Sequence, residues 1–185
     1  NIRQLQLATL KGALAKVLTD AAGSINGTAR IKGSLSDPAI TGDIGFNQAS
    51  FVPVLLGTRF SIGDQKLSLT DNGIVFNQFL IKDSTGNELV INGQVLTGNF
   101  INYELDLQIK STDFQVLNTI KGPGKLYYGK LNVTTDIRLS GTEAKPIADG
   151  RITVNEGTNV SFVIPQSDQG VAERKGIVEF VDMDA

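Results

Sequence analysis

Tyr103-Glu104-Leu105-Asp106-Leu107-Gln108-Ile109-Lys110 alternates without a break, apolar or aromatic on odd positions and polar or charged on even ones. A period of two belongs to an extended strand with one dry and one wet face. A wet face in turn points to antiparallel sheet. The pattern recurs outward from this stretch in both directions. Leu67 and Leu69 alternate with Lys66, Ser68 and Thr70, and Leu89 with Ile91. Leu131, Val133, Ile137 and Leu139 alternate with Asn132, Thr134, Asp136 and Arg138; Ile152 with Val154, then Val160, Phe162 and Ile164, extend the series. Phe76, Phe79 and Phe162 are the inward aromatic candidates. Asp71-Asn72-Gly73, Asn155-Glu156-Gly157, Ser84-Thr85-Gly86-Asn87, Thr97-Gly98-Asn99 and Gly122-Pro123-Gly124 separate these runs with residues suited to hairpin turns. Regular spacing of short strands and turns predicts roughly ten to twelve strands.

One passage occurs twice. Gly33-Ser-Leu-Ser-Asp-Pro38-Ala-Ile-Thr-Gly42 returns as Gly141-Thr-Glu-Ala-Lys-Pro146-Ile-Ala-Asp-Gly150, with Arg30 and Arg138 at the same distance before each copy. Each copy leads on to a second proline, Pro53 and Pro165. Proline brings no N–H to a ladder, so these positions mark strand ends or edges. A repeated strand–turn–strand unit implies a fold built by addition, which presents a long surface rather than a catalytic pocket. Two such sheets closed face to face would make a β-sandwich with the leucines as core. One sheet curled on itself would make a trough with the same leucines lining it. Periodicity leaves both open.

The first residues follow another rhythm. Leu7, Leu10, Leu14, Val17 and Leu18 fall at helical spacing, and Gly23 is a natural stop. The chain therefore divides into an amphipathic N-terminal helix over 1–22 and a repetitive sheet over 23–185. Packing on the sheet is the expected role of the helix; its few cations and lack of Trp or Phe argue against a membrane-surface helix. The chain breaks off within the strand-like run Gly176–Asp182, and so reads as an excerpt of a longer protein.

Composition excludes much chemistry. The 185 residues contain no Cys and no His, which removes disulfides, the usual zinc ligands, the usual general base and the Ser-His-Asp triad. A net charge of −2 leaves no overall footprint for nucleic acid and no polybasic membrane patch. No apolar run of about 18 residues is present, so no transmembrane segment is expected. Gly122-Pro-Gly124-Lys125 lacks the ending of a phosphate loop and reads as a turn. Asp64, Asp71, Asp83 and Asp113 lie in separate turns without the spacing of a calcium loop. No enzyme activity, cofactor or metal is expected.

Gly33-x-Leu-x-x-Pro38-x-Ile-x-Gly42-x-Ile, followed by Ala49-Ser50-Phe51-x-Pro53, resembles the TamB-like translocation and assembly module family, within the AsmA-like group. So does the second copy, which ends in Phe162-Val-Ile-Pro165-Gln. The tail Val171-Ala-Glu-Arg-Lys-Gly176-Ile-Val-Glu-Phe-Val-Asp182 is similar to members from the Bacteroidetes group. The resemblance implies the C-terminal region of a periplasmic protein of a Gram-negative bacterium, anchored in the inner membrane in its full length. It also implies an elongated, curled antiparallel sheet, a taco-like trough with a hydrophobic inner face, in place of the sandwich. Its implied work is conduction of phospholipid between inner and outer membranes, with acyl chains against Leu67, Leu69, Phe76, Leu105, Leu107, Ile109, Leu131, Val133, Ile137, Leu139, Ile152 and Val154. The other role it implies is outer-membrane biogenesis: assembly of β-barrel proteins beside a BamA-like barrel partner. The family carries no catalytic residues to transfer.

Overall fold

The computed structural model describes residues 2–34, 37–97 and 102–164. Pro165, the run Gly176–Asp182 and the Gly98-Asn99 turn lie outside them. Among the described residues eleven strands form a single antiparallel sheet: β1 Ile2–Gln6, β2 Leu18–Ser34, β3 Asp37–Pro53, β4 Phe60–Ile62, β5 Lys66–Thr70, β6 Gly73–Lys82, β7 Glu88–Leu96, β8 Glu104–Thr119, β9 Tyr127–Thr142, β10 Lys145–Val154 and β11 Asn159–Phe162. Spatial order follows chain order except in two places. β4 and β5 share one strand position between β3 and β6, and β11 pairs β9 beyond the end of β10. In the gap between β4 and β5 the Gln65 side chain substitutes for backbone, donating to the Leu80 carbonyl at 2.6 Å and accepting from its N–H at 2.7 Å. Among the described strands no second sheet stands opposite, so the trough describes the molecule and the sandwich does not.

The repeated passage is a repeated hairpin. Gly33 faces Pro38 and Ser34 faces Asp37 in the first copy; Gly141 faces Pro146 and Thr142 faces Lys145 in the second. The closing glycines also match, Gly42 at φ 145° and Gly150 at φ 144°. A Cβ on either would run into a carbonyl oxygen of the neighbouring strand, that of Thr28 or of Asp136. Only glycine lets the strands approach this closely. Asp71-Asn72 makes a tight hairpin as expected, with Thr70 opposite Gly73. Asn155-Glu156-Gly157 does not. β10 and β11 both run antiparallel to β9, so the chain there jogs and continues in the same direction.

The helix expected over 1–22 is confined to a 3₁₀ turn at Leu7–Leu10 and one α-turn at Lys11–Leu14. Residues 2–6 form β1 instead, because β2 offers them a ladder through Ile2–Gly27 and Leu5–Ile25. Leu18 is already in β2, opposite Pro53. Gly12 and the absence of any capping side chain leave so short a helix without support of its own.

Bulges keep the dry face dry, and three of them have a non-glycine residue at positive φ. Gln48, Gln78 and Asp113 have φ of 45°, 50° and 50°. Each marks a register shift that inserts one residue into β3, β6 or β8. Without the insertion, Phe46 and Ala49, Phe76 and Phe79, or Ser111 and Phe114 would point to opposite faces. The freed N–H at each bulge is taken by a side-chain oxygen of a neighbouring segment: Asp64 Oδ1 at 3.3 Å, Asn92 Oδ1 at 2.8 Å and Thr134 Oγ1 at 3.2 Å. Removing the acceptor in Asn92→Ala is expected to destabilise by about 1 kcal/mol. Gln78→Gly, which relieves the positive φ, is expected to stay within about 1 kcal/mol of the parent. Urea unfolding of both variants checks the pair.

Asp83 ties the β6–β7 turn to β8. Its carboxylate is buried and accepts from the Thr85 N–H and hydroxyl, the Asn87 N–H and the Gln115 N–H at 2.6 to 3.0 Å. Burial pushes its pKa up, but the hydrogen bonds from Gln115, Thr85 and Asn87 together outweigh it, and the pKa falls below the usual carboxylate range. Its stabilising effect is therefore complete above the unfolded value near pH 4, and is lost as pH drops through the lower folded value. Asp83→Ala is expected to cost about 3 kcal/mol, because it strips the buried Gln115 N–H of a charged acceptor. It should also flatten the acid limb of stability against pH, measured by urea unfolding at constant m.

Candidate functional site

Residues directly opposite in an antiparallel ladder share a face, so register alone assembles the dry surface. One row runs unbroken through Ala29, Gly42, Leu69, Ile74, Val95, Leu105, Gly141 and Pro146. The next runs from Phe76 through Gly93, Leu107 and Leu139 to Ala148. Past the bulges, Phe79 faces Ile91, then Ile109 and Ile137, and Phe114 faces Val133, then Val154.

The surface is concave. Phe46 on β3 and Phe79 on β6 meet edge to face at 5.5 Å between ring centroids, although a flat sheet would separate their strands by roughly 10 Å. Phe60 on β4 stacks on Phe114 of β8 at 5.5 Å with ring planes 5° apart, where three flat spacings would leave roughly 14 Å. Both contacts require the sheet to curl toward its apolar side. Each aromatic pair also adds about 1 kcal/mol to area burial. Charged pairs lie on the other face: Arg138 with Asp106 at 2.9 Å, Lys110 with Asp136 at 3.3 Å and Lys82 with Glu88 at 3.1 Å, all exposed and each worth little on its own.

All twelve side chains assigned by sequence to the lining fall on this one face, in three degrees of exposure. Leu67, Leu69, Phe76, Leu105, Ile109, Leu131, Ile137 and Leu139 are half-buried, open to any molecule lying in the trough. Leu107 and Val133 are buried and act as packing. Ile152 and Val154 on β10 are each 61% exposed, at the sheet's edge. Phe79 is buried inside, whereas Phe162 on β11 stands exposed. The aromatic floor of Phe46, Phe51, Phe60 and Phe114 escapes the alternation, because it lies next to the bulges or in the short β4. The detectable signal is the doubled tripeptide Phe46-Asn-Gln48 and Phe76-Asn-Gln78, each followed at once by an inward residue. Of the N-terminal turn, Leu7 reaches the inner face and packs with Phe79, Ala49 and Ile62, covering part of the floor.

The site offers surface chemistry. Among the described residues no group of three or more Asp or Glu is placed to hold a metal ion, and no helix is long and apolar enough to cross a membrane. The protein-family model for the TamB C-terminal domain matches residues 77–184. No curated protein and no solved structure matches the chain. The matched span takes in most of β6 and all of β7 to β11, more than half of the 185 residues, and with it the chain belongs to the TamB family.

Proposed function

We propose that the concave face carries phospholipid acyl chains, as one segment of a periplasmic bridge between the inner and outer membranes of a Gram-negative envelope. One observation supports this reading above others: apart from the mutually hydrogen-bonded Ser111 and Thr135, the inner rows are apolar, the first of them from β2 to β10, yet most of their side chains are only half-buried. A closed core would hide them; a surface meeting water alone would not keep them apolar over so many strands. An acyl chain laid on such a floor is shielded from one side, worth roughly half of the ~0.8 kcal/mol per fully buried CH₂. The headgroup stays in water at the open side. Rows of Leu, Ile, Val and Gly, crossed by hydroxyls that Ser111 and Thr135 satisfy in each other, leave no charged trap along the path, so movement needs neither a cofactor nor a catalytic residue.

Assembly of outer-membrane β-proteins beside a BamA-like barrel is the second reading, and β10 favours it. All ten residues of that strand are exposed, and beyond its ladder to β9 it has no further strand partner among the described residues. A client strand pairing there would gain main-chain hydrogen bonds.

A photocrosslinking side chain at Ile109 separates the readings. Phospholipid adducts are expected in the parent. They should fall at least tenfold in Leu105→Asp/Leu139→Asp, whose half-buried positions allow the fold to persist, as circular dichroism would verify. Undiminished adducts in the folded double variant would remove the acyl chain from this face. Adducts to nascent barrel strands from a probe at Ala148, without lipid at Ile109, would favour assembly.

A further inference from the structure

The trough's apolar face is not the only one left open. Leu55, Ile120, Leu126 and Phe162 are 59 to 80% exposed, and all four gather at the end of the sheet where β3 and β8 finish and β9 begins. Hydrogen bonds tie these segments together: Val54 N–H donates to the Val17 carbonyl at 2.9 Å, the Tyr127 hydroxyl to the Leu55 carbonyl at 3.2 Å, Val163 N–H to the Leu126 carbonyl at 2.8 Å, and Lys125 Nζ to the Ile120 carbonyl at 3.3 Å. Between them lies a pocket of 280 Å³ walled by Val54, Leu55, Leu126 and Tyr127, with Lys125 at its side. The patch belongs to loop tips and strand ends, outside the rows assigned to the trough.

Among the described residues its charge is one-sided. Lys121 and Lys125 stand in the same β8–β9 loop, and Lys16 precedes the exposed Val17. The Lys121 ammonium lies 6.0 Å from the centre of the Tyr128 ring. The described segments at this end, residues 7–19, 46–63, 114–131 and 157–164, contain no Asp or Glu, in a chain whose net charge is −2. Asp20, just beyond the first stretch, is taken up by Arg59 at 2.6 Å and Lys11 at 3.9 Å. Lysine is depleted in protein–protein interfaces. Lysine stems and tyrosine rings around exposed aliphatic side chains instead suit a bilayer interface, where cations reach phosphate and apolar groups enter the acyl boundary.

We propose that this end of the sheet docks on a membrane surface containing anionic phospholipid, with Leu55, Ile120 and Leu126 inserted at the headgroup–acyl boundary and Lys121 and Lys125 against the phosphates. The docking surface stands independently of whether the trough carries lipid.

Sedimentation with vesicles tests it. The chain should sediment with vesicles of mixed phosphatidylcholine and phosphatidylglycerol, less with pure phosphatidylcholine, and less again as salt is raised. Lys121→Ala and Lys125→Ala should each weaken binding roughly fivefold, as expected for ~1 kcal/mol per lysine at an anionic surface. Ile120→Ser/Leu126→Ser should weaken it by about tenfold or more, with the unfolding midpoint unchanged. The trough variant Leu105→Asp/Leu139→Asp should sediment like the parent, so failure at the trough and failure at the tip are told apart. No sedimentation of the parent with the mixed vesicles, or equal sedimentation of the tip variants, would overturn the proposal. So would a dimer in analytical ultracentrifugation that Leu126→Ser abolishes while vesicle binding persists, since the patch would then be a contact between copies.

Discussion

A sheet with no layer opposite it has to keep its apolar side chains on one side by backbone geometry alone. In a sandwich, a strand that slips by one residue is punished by the facing sheet. Here the restraint is local: extra residues inserted in β3, β6 and β8, three of them held by an amide given to Asp64, Asn92 or Thr134. The parity of the residues beyond depends on these insertions, including a second one in β8 between Gln115 and Leu117. Bulges also bend the strand and increase its twist, so the device that keeps the dry face continuous also helps to make it concave. Continuity and curvature thus share one origin.

Packing follows from this. The aromatic side chains next to the bulges close the innermost part of the curl, where Phe60 and Phe114 stack and Phe46 meets Phe79. Farther out, Leu69, Leu105 and Leu139 have neighbours along the sheet and no described strand above them, and remain half-buried. Stability is drawn from the floor and from hydrogen-bonded turns such as Asp83–Asn87, which leaves the outer rows open.

The sheet was legible wherever the period of two ran undisturbed. Glu104–Lys110 and Leu131–Leu139 form strands with the faces their sequence assigns, and the doubled Gly-Pro-Gly passage is a doubled hairpin. Legibility failed for three physical reasons. A bulge shifts the alternation by one, so Phe114 reads as the wrong parity from Leu105. An available ladder overrides helical spacing, which is why Ile2–Gln6 is a strand and the helix shrinks to Leu7–Leu14. A turn signal states that the chain can bend, not that it must reverse, and Asn155–Gly157 jogs without reversing. Net charge hid a fourth feature, since a balance of −2 over the chain conceals an end without a single carboxylate in its building stretches.

The two Gly-Pro hairpins stand at β2–β3 and β9–β10. From β2 to β9 is six steps in the sheet order, or roughly 29 Å measured along the sheet at about 4.8 Å per strand. The hairpin is therefore a graduation mark. A polypeptide made of such units adds a fixed length of trough with each recurrence, so the distance it spans is set by how many times the passage is repeated, and insertion or deletion of one unit changes reach without disturbing the cross-section.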